Sequence, residues 1–450
     1  MLLGGLVYAT AGLSFSALTA AASTPKVLSL SFSRRETFTP HPRLNRRGAS
    51  VTATLYNAQS NLLYLVNATV GTPPQSFSLQ LDTGSSDIWL PWVEAQACRG
   101  RNGINRCGNG AFDDTQSSTF VEQIPDLFEI SYVDQTQIVG DYIADVFSIG
   151  DVSVVNMTMG LAKQTSEPET SGEFQGIVGV GFDQGESIYS QVGRTYPNLI
   201  SKLKSQKYIN TRAYSLWLND LESTTGSILF GGIDTAKYTG DLTILPIQPD
   251  AISKSITSFT VVLDNIAVIG GAKKAQYAKA LDIPVILDSG TTLTYLPNDI
   301  AMDIISGVGA VNNSRYGVVV PCDLAASPAT FNFQFGNSDG PTIVATIGQF
   351  VLPFPSKISP PRFRSGKTAC RWGILPAQGA PNLFGDTFLR SAYVVYNIDG
   401  GTVGIAQTKF NVSSSSVKEI TDSGKIPGAT KTASGEAKQT HTGAVASAVV

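Results

Sequence analysis

The chain has 450 residues, is 42% hydrophobic and only 15% charged, and carries a formal net charge of −3. That length holds two large lobes plus processing segments, and the weak charge points away from a nucleic-acid partner. The two histidines are His41, near the start, and His441, near the end; if both ends are processed or disordered, the folded body is excluded from Ser-His-Asp, Cys-His and HExxH zinc chemistry, and no metal or cofactor is implied.

Residues 1–22 are apolar and end in Ala20-Ala21-Ala22, a small-x-small cleavage site. They read as a cleaved signal peptide, so the chain is expected to be secreted. Residues 23–47 are basic, with Glu36 as the lone acid, and end in Arg46-Arg47. They read as a pro-segment that covers an acidic cleft as an intramolecular inhibitor. The Arg46-Arg47 pair favours removal there by a processing protease, with autocatalytic removal as the alternative.

From about Thr52 the pattern turns to β. "LLYLVNATVGTPPQSFSLQLDTG" alternates around a Gly-Thr-Pro-Pro turn, and long Val/Ile/Thr/Phe-rich stretches with 43 glycines and 23 prolines predict a mostly β chain. Glycosylation sequons at Asn67, Asn156, Asn312 and Asn411 agree with secretion. The four cysteines, Cys98, Cys107, Cys322 and Cys370, lack metal-ligand spacing. They allow three disulfide connectivities, of which Cys98–Cys107 with Cys322–Cys370 keeps each bridge within one half of the chain.

The chain writes one short phrase twice. "LQLDTGSSDIWLP" from Leu79 and "VILDSGTTLTYLP" from Val285 align Asp82 with Asp288, Gly84 with Gly290, Ser85 with Thr291 and Trp89 with Tyr295. Each is followed by two apolar residues and a glycine at one spacing: Gly179 lies 97 residues after Asp82 (179 − 82) and Gly385 lies 97 after Asp288 (385 − 288). Two anchors at matched spacing predict two copies of one fold about an approximate two-fold axis. Such an axis brings both Asp loops face to face. Two carboxylates at close range share one proton, so one acts as base toward water while the other hydrogen-bonds a carbonyl oxygen. The glycines let backbone N–H groups approach the carboxylates, and the hydroxyls orient them.

With these motifs the chain resembles the pepsin-like aspartic proteases of the secreted fungal type, over most of residues 55–408. "SILFGGIDTAKYTGDLTILPI" from Ser227, "SFTVVLDNIAV" from Ser258 and "NLFGDTFLRSAYVVYNIDGGTVGIAQ" from Asn382 extend the likeness. The resemblance implies a bilobal β fold, with lobes at 48–245 and 246–408 and a cleft between them. It implies a monomeric endopeptidase that cuts polypeptides at acid pH. Asp82 and Asp288 match the catalytic dyad, with Gly84, Ser85, Gly290 and Thr291 orienting it. Trp89 matches the tryptophan behind the flap, and Tyr132 the flap tyrosine whose hydroxyl meets it. Val133 and Gln135 stand where many members carry glycine, which predicts a stiffer or differently shaped hairpin. Asp134 stands where an acid in some fungal relatives favours Lys or Arg in the substrate, so basic or large apolar residues are expected at the scissile bond.

From about Asn411 the composition shifts to Ser, Thr, Gly, Ala and Lys without an aromatic residue, which predicts a disordered tail over 409–450. Its final "GAVASAVV" falls short of a glycolipid-anchor signal, which needs about 10–20 apolar residues. A glycosidase also pairs carboxylates but does not require D-[ST]-G-[ST] twice. "GIVGVGFDQG" lacks the Gly-Lys ending of a phosphate loop. A non-catalytic binding or inhibitor protein on the same fold is the main alternative, although both motifs are intact.

Overall fold

The computed structural model describes residues 26–32, 52–58, 63–99, 105–133, 135–166, 174–223, 226–251, 253–270, 275–355, 358–421 and 424–437. The signal stretch, Arg46-Arg47 and Asp134 lie outside them. The fold is mostly β, with short helices at Ser187–Val192, Leu199–Ser205, Asn298–Gly307 and Asp386–Leu389.

The repeat in sequence is a repeat in topology. In the first half, strand Gln75–Asp82 runs parallel to Ile177–Gly179, with Asp82 opposite Gly179. In the second half, strand Ala275–Leu287 runs parallel to Leu383–Phe384, with Leu287 opposite Phe384. Asp288 extends that register by donating its N–H to Phe384 O at 3.1 Å. The strand after each acid, Ile88–Pro91 and Thr294–Leu296, then pairs antiparallel with the same glycine-ended partner. Ile88–Pro91 is apolar and buried at every position, and Thr294–Leu296 is buried at both ends.

The first half and the shared floor belong to one 15-stranded sheet, and the second half is built on a seven-stranded and a four-stranded sheet. The floor includes Ala213–Trp217, Ser227–Phe230, Tyr238–Pro246, Ala392–Asn397 and Thr402–Thr408. The expected lobe boundary at 245/246 therefore falls inside a floor strand. Strand Leu28–Phe32, from the expected pro-segment, is also part of this sheet, antiparallel to Ser227–Phe230 and parallel to Thr52–Ala58. A continuous apolar core runs from Val66, Leu81 and Val178 through Phe259 to Leu287, Phe384 and Phe388. Disulfides join Cys98 to Cys107 and Cys322 to Cys370, the pairing expected from their positions.

The tail departs from expectation. Strand Val417–Glu419 pairs with Gly232–Asp234, and Ala429–Thr432 adds a parallel strand outside Tyr238–Pro246. Ile420, Ile426 and Ala433 are buried. A segment too poor in apolar residues to build a core here completes one that Trp217, Leu242, Tyr393 and Val395 already supply. Residues 438–450 lie outside the described residues.

Candidate active site

Both motif loops leave the ends of buried strands and meet at the centre of the molecule. Asp82 is 5% exposed and Asp288 7%. Gly84 donates its N–H to Asp82 Oδ1 at 2.7 Å, and Ser85 Oγ donates to Oδ2 at 2.5 Å. Across the axis, Gly290 N–H donates to Asp288 Oδ1 at 2.8 Å, and Thr291 Oγ1 to Oδ2 at 2.5 Å. Each carboxylate thus keeps one backbone and one hydroxyl donor.

The carboxylates also lie against each other's glycine. A Cβ built on Gly84 would sit 2.5 Å from Asp288 Oδ1, and one built on Gly290 would collide with Asp82 Oδ1. Glycine is required at both places by this close approach rather than by backbone strain. Burial pushes the Asp82 carboxyl well above the usual range, and the Asp288 charge pushes it further, against the Ser85 and Gly84 hydrogen bonds. A pair arranged this way favours a single shared proton.

The middle residues of the motifs bind the halves together. Thr83 Oγ1 donates to Leu287 O at 2.9 Å and Ser289 Oγ to Leu81 O at 3.0 Å. Gln80 Nε2 reaches Gly290 O at 2.8 Å. Thr83, Ser289 and Gln80 were not singled out from sequence, although the hydroxyl at the second motif position in both copies is a signal for them.

Strands Val121–Ser131 and Gln137–Ile149 pair as an antiparallel hairpin that is tied to the first motif stretch through Trp89. Trp89 Nε1 donates to Tyr132 OH at 2.7 Å, the contact expected from the motif. At the tip, Gln135 N–H donates to Tyr132 O at 2.8 Å and Tyr132 N–H to Thr136 O at 2.9 Å. Gln135 takes a φ of 70°, so a left-handed position is filled here without glycine.

Three carboxyl groups near the dyad were also missed from sequence. Asp386 follows Gly385 and is 1% exposed; burial drives its carboxyl up, and the Asp288 and Asp82 charges add to that against Arg390. Asp87 and Glu186 form a second buried pair, the Asp87 charge acting on Glu186. Among the sequons, Asn156, Asn312 and Asn411 are exposed, while Asn67 is half-buried with its Oδ1 accepting from Ser78 Oγ.

Comparison with known proteins agrees with this geometry. The family model described as eukaryotic aspartyl protease matches residues 63–408. The chain is 38% identical over 416 residues to a probable aspartic-type endopeptidase, opsB, of Aspergillus oryzae, covering 90% of this chain and 81% of that protein. It is 37% identical over 381 residues to an acid protease of Saccharomycopsis fibuligera, covering 82% and 87%. Secreted aspartic protease 8 of Candida albicans is 34% identical over 373 residues, covering 82% and 81%. The chain belongs to the eukaryotic aspartyl protease family and is an enzyme of the aspartic-type endopeptidase class.

Proposed function

We propose that this enzyme is a secreted endopeptidase that cuts polypeptides at acid pH, with Asp82 and Asp288 sharing one proton around the attacking water. The unprotonated carboxylate takes a proton from water as it adds to the peptide carbonyl. The protonated partner hydrogen-bonds the developing oxyanion and returns a proton to the leaving amine. The observation that carries this reading is the mirrored pair of donors on each carboxylate, each carboxylate packed against the opposite glycine.

The finer parts of the proposal rest on narrower support. Tyr132, held by Trp89, is suited to close over substrate. Asp134, two residues after Tyr132 in the sequence, is proposed to favour basic residues at the scissile bond, where large apolar residues are the other proposed preference. The segment before Arg47 is proposed to inhibit until a processing protease removes it, and the enzyme is proposed to act as a glycosylated monomer outside the cell. One relative carries "secreted" in its name, which supports export.

The test is cleavage of a mixed peptide library by processed enzyme from acid to neutral pH, beside Asp288→Asn and Asp134→Thr. Acid-favoured cleavage lost in Asp288→Asn is expected, with Asp134→Thr weakening the choice of Lys and Arg. Cleavage that survives Asp288→Asn would exclude the shared dyad. An absence of cleavage by folded, processed enzyme would move the non-catalytic binding reading forward.

A further inference from the structure

Five residues after Asp82, the loop carries a second acid, Asp87, which is 0% exposed. Its Oδ2 accepts the Ser187 N–H at 2.8 Å, and its Oδ1 accepts Tyr196 OH at 2.7 Å and, at 3.5 Å, Tyr142 OH. Its carbonyl accepts Gly179 N–H at 3.0 Å, and Gly181 N–H closes on Ser85 O at 2.9 Å. The segment from Asp82 to Asp87 is therefore fastened along its length.

The partners of Asp87 lead to the flap. Ser187 opens the helix Ser187–Val192, and Gln191 of that helix donates to Glu129 O, on the outer flap strand, at 3.1 Å. Tyr142, on the returning flap strand, shares a hydrogen bond of 2.7 Å with Ser187 Oγ and packs edge-on against Phe128 of the outer strand. Two residues beyond Asp87, Trp89 holds Tyr132. The carboxyl of Asp87 sits where the dyad loop, the helix and both flap strands converge.

A second carboxyl lies beside it. Glu186 is 2% exposed; its Oε2 accepts Tyr196 N–H at 2.8 Å, and its Oε1 has no hydrogen-bond partner among the described residues. The groups facing the pair are Tyr142 from the flap strand, Tyr196 from the interhelical loop, Ser187 from the helix, and Asp183, which acts on Glu186 and is itself paired with Arg212.

We propose that Asp87 is a positioning residue for the dyad: its carboxyl pins the loop of Asp82 to the helix and the flap, and charging of the Asp87–Glu186 pair loosens that pin as pH rises. A neutral Asp87 accepts from Ser187 and donates to a tyrosine oxygen, so every bond in the pin is met. A charged Asp87 keeps its donors but is fully buried, next to another carboxyl. Burial outweighs its three hydrogen bonds and raises its carboxyl to about 6. The group acts on the reaction through the loop and touches no reacting atom. The inference rests on the Asp82–Asp288 reading for its effect on rate.

The test compares Asp87→Asn and Asp87→Ala with wild type in full pH profiles of kcat/KM and of Tm. Asparagine can make the same contacts without titrating, its Nδ2 donating to Tyr196 and its Oδ1 accepting from Ser187. In Asp87→Asn, kcat/KM at acid pH is expected within about threefold of wild type, and the alkaline limbs of both profiles are expected to move up by about one pH unit. In Asp87→Ala, kcat/KM is expected to fall roughly tenfold or more at every pH, chiefly in kcat. Coincident alkaline limbs in Asp87→Asn overturn the pH-sensitive pin, even if Asp87→Ala does not fold. Full activity in Asp87→Ala overturns the positioning role. Asp288→Asn separates the two readings: retained cleavage there defeats the dyad, whereas the Tm limb of Asp87→Asn reads the pin without any activity.

Discussion

Ser289 donates its N–H to Thr83 Oγ1 at 2.9 Å, and Thr83 returns its N–H to Ser289 Oγ at 3.2 Å. Each hydroxyl then continues into the opposite strand, at Leu287 O and Leu81 O. The two motif loops are thereby a single hydrogen-bonded unit across the axis, with Thr83 and Ser289 both buried. Thr83→Val keeps shape but removes the donor to Leu287 O and the acceptor of Ser289 N–H. With both groups left buried and unpaired, the variant is expected to lose about 2–4 kcal/mol of stability. A fall in kcat should accompany it, because the carboxylates lose their mutual register. Chemical denaturation and steady-state kinetics on the same preparation check both parts, and wild-type values in both would separate the grip from catalysis.

Ser85 acts on the charge of the dyad rather than on its placement. Its hydroxyl donates to Asp82 Oδ2 and so favours the carboxylate form against burial and the Asp288 charge. Ser85→Ala removes that donor, so the pair holds its proton to higher pH. The alkaline limb of kcat/KM is expected to move upward by about half to one pH unit. A limb that stays in place, or moves down, would show that the hydroxyl does not tune this ionisation.

Glu186 sets a slope in stability. Burial, with the Asp87 and Asp183 charges adding, raises its carboxyl to about 10 in the folded protein from an ordinary 4.5. A raised carboxyl means that the folded state binds the proton more tightly than the unfolded state. Its contribution is fully present below about pH 4.5 and is lost progressively as pH rises toward the folded value. Asp87 adds to the same slope between 3.8 and about 6. Wild type is therefore expected to be most stable in acid and to lose stability steadily from pH 5 to pH 8. Glu186→Gln should flatten that slope, whatever its absolute stability. A Tm series across this range reads the slope directly.

What was legible in the sequence followed from repetition. Asp82, Gly84, Ser85 and their counterparts could be aligned inside one chain, and the equal spacing to Gly179 and Gly385 predicted two copies of one fold, which the matching strand pairs show. Trp89 and Tyr132 came through the family resemblance, and their contact is present. Asp87 and Glu186 were not legible. The partners of Asp87 lie 55 to 109 residues away in Tyr142, Ser187 and Tyr196, and the Ser187 backbone donor leaves no mark on the sequence. Asp386 is similar: its environment comes from burial among Arg390 and the dyad, not from a local pattern.

The tail failed for a different reason, and that reason yields a prediction. Composition measures whether a segment can build its own core, not whether it can finish another. Residues 409–437 are held by side chains of the protease body. Trp217 Nε1 donates to Lys409 O at 2.9 Å, Lys237 Nζ to Val412 O at 2.6 Å and Asn397 Nδ2 to Gly424 O at 2.6 Å. Asp234 accepts Ser415 Oγ and Ser416 N–H, both at 2.7 Å. Lys237 and Asp234 are themselves buried, 8% and 7% exposed, so removing the strap would strand both beneath an opened surface. Within the strap, Ile420 is 0% exposed and packs in the cluster with Trp217, Tyr393 and Val395. Ile420→Ala is expected to cost about 2–5 kcal/mol, the range for a deleted core side chain. Val417→Ala, at an exposed position three residues earlier, should cost well under 1 kcal/mol. Urea denaturation of the two variants decides between a docked strap and a loose tail: equal midpoints would mean that the segment contributes nothing to the fold.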